Sequence, residues 1–235
     1  MAKRKASPYM TASETVAGTV FFAIYLVVLP FATEPLFRLM ERLLDSDISR
    51  PLQNCIYYYV LFATTLLIFH DYIGRTTRRF ADNLGPACRA IVVGLIALYG
   101  LNELVFRLTR LVVGNQTNLN DVAISAQIND APHVTLLITI FLAPFVEEVL
   151  FRGLVFGNLR GKSRPIAYLV SCLLFALLHV WQFAVVQQDV TYFLLMVQYL
   201  VPGLVLAWAY DHSGSLWTAI GLHTAANALH AWTVL

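Results

Sequence analysis

Charge is what this chain has little of. Only 13% of its 235 residues are Asp, Glu, Lys or Arg, against 58% that are hydrophobic, about half the charged share of an ordinary soluble domain. So few charges leave a water-soluble globule of this size without a polar surface. Cysteine is nearly absent too: Cys55, Cys88 and Cys172 lie in or beside apolar runs at no metal-like spacing, which fits buried, inert thiols and neither a disulfide framework nor a metal knuckle. There is no basic stripe, because the Lys and Arg residues behind the net charge of +2 stand between apolar runs, and no nucleic-acid partner is implied. No internal repeat is visible, and no polar stretch is long enough to form a soluble domain.

What is present is a series of apolar runs close to the ~20 residues needed to cross a ~30 Å hydrocarbon core, with a mean hydropathy of +0.66. Seven segments can be drawn, at 16–37, 52–73, 88–113, 134–156, 166–183, 192–210 and 216–235. Each should be a helix, since a backbone in lipid must satisfy its own hydrogen bonds. The expected fold is all-α, a polytopic membrane bundle of about seven helices. It divides into N-terminal spans with a polar loop (1–133) and C-terminal helices that carry the chemistry (134–235). The first run is too long for a signal-peptide core and no cleavage site follows it, so it reads as a retained span. The connection at 114–133 is rich in Asn, Asp and Gly and reads as a loop with room for one short interfacial helix.

Basic residues set the expected orientation. Lys3, Arg4 and Lys5, then Arg75, Arg78, Arg79 and Arg89, then Arg160, Lys162 and Arg164 fall on alternate connections. This places the N-terminus in the cytoplasm and, with seven spans, the C-terminus outside. Arg107 and Arg110 fit the pattern poorly and read as snorkelling to the interface.

Against this background a few polar residues stand where they are costly. An ionisable group in the hydrocarbon costs roughly 2.5–3.5 kcal/mol on insertion scales, and marks function by default. The fourth segment holds Glu147, Glu148 and Arg152, the fifth His179, and the seventh His223, Asn227 and His230. Counted from the basic connections at 1.5 Å per residue, Glu147, His179, His223 and Asn227 cluster at heights of ~12–20 Å. Three helices thus bring polar groups to one depth, as a shared site requires, opening toward the cytoplasmic half.

Helical spacing assigns partners. Glu148 and Arg152 share a face and read as a helix-internal ion pair that also holds the helix rigid. Glu147, ~100° further round, points to a neighbouring helix. His223 and Asn227, four apart, face a common centre, and His230 reads as a plain helix-end histidine. The chemistry these types permit is hydrolysis. A desolvated Glu acts as general base on water with a His sharing the proton, and a second His and an Asn donate to an oxyanion. Serine chemistry fits less well, since no membrane Ser has an obvious spacing from a His. Glu, His and His could ligate zinc, but the HExxH pair is absent. No cofactor is therefore expected, with zinc kept as the alternative.

Read in order, these segments resemble the signature of the CPBP family (CAAX proteases and bacteriocin-processing enzymes, also called Abi): EExxxR at Glu147–Arg152, FxxxH at Phe175–His179 and HxxxN at His223–Asn227. Each motif alone is weak, but the ordered set on successive membrane helices is specific. The resemblance covers roughly 134–230, and includes a short turn at 210–217 where Gly214 turns the chain and Ser215 fits an N-cap. It implies an intramembrane endopeptidase without metal: Glu147 activates water with His179 assisting, His223 and Asn227 bind the oxyanion, and Glu148 and Arg152 support them. It implies a membrane-associated or lipid-modified peptide or protein as substrate, cut in the bilayer. A compact chain without a eukaryote-like extension fits a prokaryotic cell membrane. Two other classes stay open: a non-enzymatic immunity or scaffold protein of the same fold, which would not need all four polar residues, and a transporter or proton relay, for which repeated halves are missing.

Overall fold

The structure, a computed structural model, describes residues 10–113 and 118–234. The basic N-terminal residues Lys3, Arg4 and Lys5 and the loop residues 114–117 lie outside the described residues. Among the described residues nine helices succeed one another and there is no strand. They are α1 (Ala12–Leu44), α2 (Arg50–Asp82), α3 (Leu84–Val113), α4 (Leu119–Asp130), α5 (Pro132–Arg160), α6 (Arg164–Leu178), α7 (Trp181–Gln187), α8 (Val190–Ser213) and α9 (Leu216–Val234). Five are long and apolar enough to cross a membrane, and α6 with α7, bent by 41° at their junction, makes a sixth. The 19-residue α9 is not among these, because His223, Asn227 and His230 lower its hydropathy. The helical positions agree with the seven expected segments, and the chain is an integral membrane protein.

Burial identifies the centre of the bundle. In the most apolar window of α5, 61% of residues are buried, against 17%, 22%, 22% and 28% for α1, α2, α3 and α8. Those four helices expose Val20, Leu67, Ile96, Leu111 and Leu204 outward, as lipid-facing walls do. The helix with the EExxxR segment is therefore the core, and the others wrap it. Its Val149, Leu150, Phe151 and Phe156 are fully enclosed, in one apolar cluster with Phe21 and Tyr25 of α1, Phe69 of α2, Phe175 of α6 and Leu222 of α9.

Two departures from regular helix shape the bundle. First, α5 alternates: residues Ile138–Leu142 and Val149–Phe156 are π-helical, on either side of the α-helical Ala143–Glu148. A π turn widens the helix and shifts its hydrogen-bond register, so some carbonyls turn toward neighbours. Here Thr139 O accepts from Asn227 Nδ2 (2.8 Å), Ile140 O from Thr224 Oγ1 (2.8 Å) and Phe151 O from Ser171 Oγ (3.0 Å). All three acceptors lie in π segments, and they tie α9 and α6 to the core helix.

Second, α2 is kinked at Phe69 (φ −109°, ψ 19°). One turn later Glu14 reaches across from α1, its Oε1 accepting from the Tyr72 amide (2.6 Å) and its Oε2 from Arg75 (2.9 Å). The kink is thus held by a buried carboxylate at the bundle's basic end. A Glu14→Ala chain should lose about 1–3 kcal/mol, the cost of a buried backbone donor left unpaired, read as a lowered apparent Tm in detergent. An unchanged Tm would mean that the kink needs no such partner.

The turn before α9 differs from expectation in one respect. Gly214 does adopt positive φ (69°), a conformation glycine takes at no steric cost. Ser215, however, spends its hydroxyl on Thr76 O (3.4 Å), and the first amide of α9, Leu216 N–H, donates to Thr76 Oγ1 (2.8 Å). The cap of α9 thus comes from α2, a partner that short-range spacing does not reveal.

Candidate functional site

Four of the polar residues singled out in the sequence meet around one cavity. It has a volume of about 680 Å³, and Glu147 of α5, His179 at the end of α6, and His223 and Asn227 of α9 all line it. Glu147 is buried, at 8% exposure, and its Oε2 makes no hydrogen bond. A buried acceptor without a partner costs about 1–3 kcal/mol, so this carboxyl is suited to take a proton or to meet a water or a substrate group from the cavity. Glu147 stands in the α-helical interlude between the two π turns, which fixes its direction relative to Glu148.

His179 sits at a break. The expected single span at 166–183 ends instead at Leu178, Val180 takes non-helical angles (φ −126°, ψ −38°), and α7 leaves at 41°. The imidazole turns back and donates Nδ1–H to Phe175 O (2.8 Å), one of the carbonyls that a helix end leaves without an intrahelical partner. A proton committed at Nδ1 leaves Nε2 as the acceptor. The ring also lies flat against Tyr199 of α8, with centroids 4.5 Å apart and planes 22° apart.

His223 is held differently. Its Nδ1 donates to Glu148 Oε1 (2.8 Å), and the same oxygen accepts from Arg152 Nη1 (2.9 Å). The i,i+4 ion pair read from spacing is therefore present and entirely enclosed, but it is also the anchor of a site histidine. With Nδ1 spent, a neutral His223 offers Nε2 only as an acceptor. It donates toward the cavity when the ring carries both protons. Asn227 keeps its second amide N–H, the first being donated to Thr139 O (2.8 Å).

Arg152 is fully buried and has three partners: Glu148, Gly203 O (3.1 Å) and the face of Phe175, 4.3 Å from its guanidinium carbon. Gly203 sets this geometry, because a Cβ there would lie 3.2 Å from the Cα of Cys172. Phe175 emerges as a hub. Its ring contacts Arg152, His179 (4.7 Å between centroids) and His223 (6.0 Å), and its carbonyl holds His179.

Sequence reasoning missed several contributors. Phe175 was only a motif letter, Tyr199 carried no signal among many apolar-run tyrosines, and Thr139 acts through a carbonyl. His230, read as a plain helix-end residue, lines the cavity. The direction of opening also differs. The cavity is lined by Asn54, Asn102, Asn118, Gln127, Gln182 and Gln198, beneath α4, and among the described residues none of the basic-connection side chains lines it. It occupies the half of the bundle remote from Arg75–Arg89 and Arg160–Arg164. The cytoplasmic half by the charge rule is instead filled by Phe156, Tyr72 and Tyr210, the last two joined hydroxyl to hydroxyl at 2.9 Å. Residues 118–131 supply the cover: Asn118 caps α4 and bonds Tyr199 OH (2.8 Å) and Gln198 (3.1 Å).

As to metal, among the described residues no three His, Cys, Asp or Glu side chains are placed to hold an ion together. Glu147, His179 and His223 share the cavity without forming a ligand set, and the His223 nitrogen nearest a carboxylate already serves Glu148.

Comparison with known proteins singles out the same segment. Residues 129–229 match the family described as type II CAAX prenyl endopeptidase Rce1-like. The UPF0177 protein YxdF of Lactococcus lactis is 29% identical over 86 residues, a stretch that is 37% of this chain and 42% of that protein. No solved structure matches. The matched stretch carries Glu147, Glu148, Arg152, His179, His223 and Asn227, and over it the chain is similar to the Rce1-like endopeptidases.

Proposed function

We propose that this protein is an intramembrane endopeptidase that hydrolyses peptide bonds of membrane-associated polypeptides with water activated by Glu147. The observation that carries the reading is the buried Glu147 carboxyl, one of its oxygens without a partner, in the lining of a cavity shared with His179, His223 and Asn227. A water held between that carboxylate and Nε2 of His179 loses a proton to the pair as it attacks the scissile carbonyl. The second N–H of Asn227 donates to the oxyanion that develops, joined by Nε2 of His223 once that ring is doubly protonated. The proton then returns to the leaving amine from Glu147 or His179. Glu148 and Arg152 hold His223 in place and do not touch substrate.

The reaction runs without a metal in this reading. The family match supports peptide hydrolysis, and a site within the bundle supports a substrate that itself lies in or on the bilayer. A cytoplasmic N-terminus fits the charge pattern.

The test uses the purified full chain in nanodiscs and a panel of membrane-tethered reporter peptides, with cleavage located by mass spectrometry, in the presence and absence of chelator. Cleavage at one bond, unaffected by chelator, is expected. Activity lost with chelator and restored by zinc would overturn the metal-free step, and no cleavage of any reporter would overturn the peptidase.

A further inference from the structure

The lining of the cavity beyond the reacting groups has a composition of its own. Among the described residues seven side chains are carboxamides, including Asn54, Asn118, Gln127 and Gln198, and five are tyrosines, while no Lys or Arg contributes. Two carboxylates face the space, Glu147 at its base and Asp121 of α4, which is exposed at its rim. The core guanidinium, Arg152, is fully buried and committed to Glu148, Gly203 and Phe175, and Arg110 is committed to the face of Phe106, 5.7 Å from its centroid. Of the imidazoles, His223 spends Nδ1 on Glu148 and His179 spends Nδ1 on Phe175 O, so each presents only Nε2 to the space.

Each carboxamide offers donors and an acceptor in one group. A polypeptide leaving water must pair its own N–H and C=O groups or lose several kcal/mol, and an amide-lined vestibule supplies such partners without selecting a side chain. A carboxylate entering the same space finds no Lys or Arg among the described lining residues and two like charges. From this we infer that the vestibule under α4 takes an internal, extended segment of polypeptide with neutral or cationic side chains, entering from the end of the bundle remote from the basic connections, and that it does not anchor a free C-terminal carboxylate. Asp121 is the specificity-determining residue for charge. This inference rests on the endopeptidase reading and adds a substrate class and an entry side to it.

The experiment compares matched tethered reporters at pH 8, where imidazoles are ordinarily neutral. One pair differs in Lys or Glu two residues from the scissile bond. Another ends three residues after it as a free acid or an amide. The Lys form and the amide should each be cleaved with kcat/KM about tenfold above its partner, an effect of the size expected for one like charge at a partly dehydrated site. Asp121→Lys should reverse the Lys/Glu order and Asp121→Asn should flatten it, with thermal unfolding checked for both. Non-hydrolysable versions of the same peptides, followed by fluorescence anisotropy, separate the two layers. Equal binding and equal cleavage across each pair, or faster cleavage of the free acid, overturns the inference and leaves the peptidase standing. The stated charge order in binding with no cleavage overturns the peptidase and leaves the vestibule as a polypeptide-binding site. Neither binding nor cleavage overturns both.

Discussion

Arg152→Met should destabilise the protein by about 3–5 kcal/mol, the cost of removing one partner from a buried ion pair. Arg152 and Glu148 are both completely enclosed, so the methionine chain leaves a carboxylate in the core with only His223 to meet it. The aliphatic side chain restores most of the volume and some contact with Phe175, which isolates the electrostatic effect from a cavity effect. Arg152→Met combined with Glu148→Leu should be less destabilised than Arg152→Met alone, since replacing both members by apolar groups is often neutral or better. The double variant should still be inactive, because His223 has lost the acceptor that fixes its Nδ1 proton. Apparent Tm in detergent, measured for both variants, checks this. A single variant as stable as wild type would show that Glu148 does not depend on its arginine.

The second large effect is on activity. Glu147→Gln keeps shape and hydrogen-bonding capacity but takes up no proton, and His179→Ala removes the acceptor nitrogen beside it. Each should lower kcat/KM by about 10³-fold, within the usual range for a general base. The two residues serve one proton path, so the double variant should lose little beyond either single one. Steady-state kinetics on a cleaved reporter would give the three values. Losses that multiply would place the residues on separate steps. Glu147→Gln should not lower Tm, since Oε2 has no partner to lose.

Much of this site could be read from residue types and spacing. Glu148 and Arg152 are four apart on a helix, and that pair forms at 2.9 Å. Ionisable residues on three apolar segments at one depth foretold a meeting point, and Glu147, His179, His223 and Asn227 do share a cavity. What stayed hidden depends on backbone register and on distant contacts. The π turns at Ile138–Leu142 and Val149–Phe156 arise in sequence that reads as ordinary apolar helix, yet the first of them supplies the carbonyls that orient Asn227 and Thr224. The break after Leu178 has no Pro or Gly to announce it; the His179 side chain takes over a carbonyl there. The cap of α9 comes from Thr76, about 140 residues earlier in the chain. Depth counting located the level of the site but not the side on which it opens. That depends on which half of the bundle is filled by large aromatics such as Phe156 and Tyr210.

The central claim is that water deprotonated by Glu147 is the nucleophile. First-turnover cleavage of a reporter in ¹⁸O-water by wild-type protein tests it most directly. The account predicts one heavy oxygen in the newly formed carboxyl of the product and none in the side chain of Glu147. Heavy oxygen recovered in Glu147, with unlabelled first-turnover product, would mean that the carboxylate itself attacks the carbonyl, and would contradict the account.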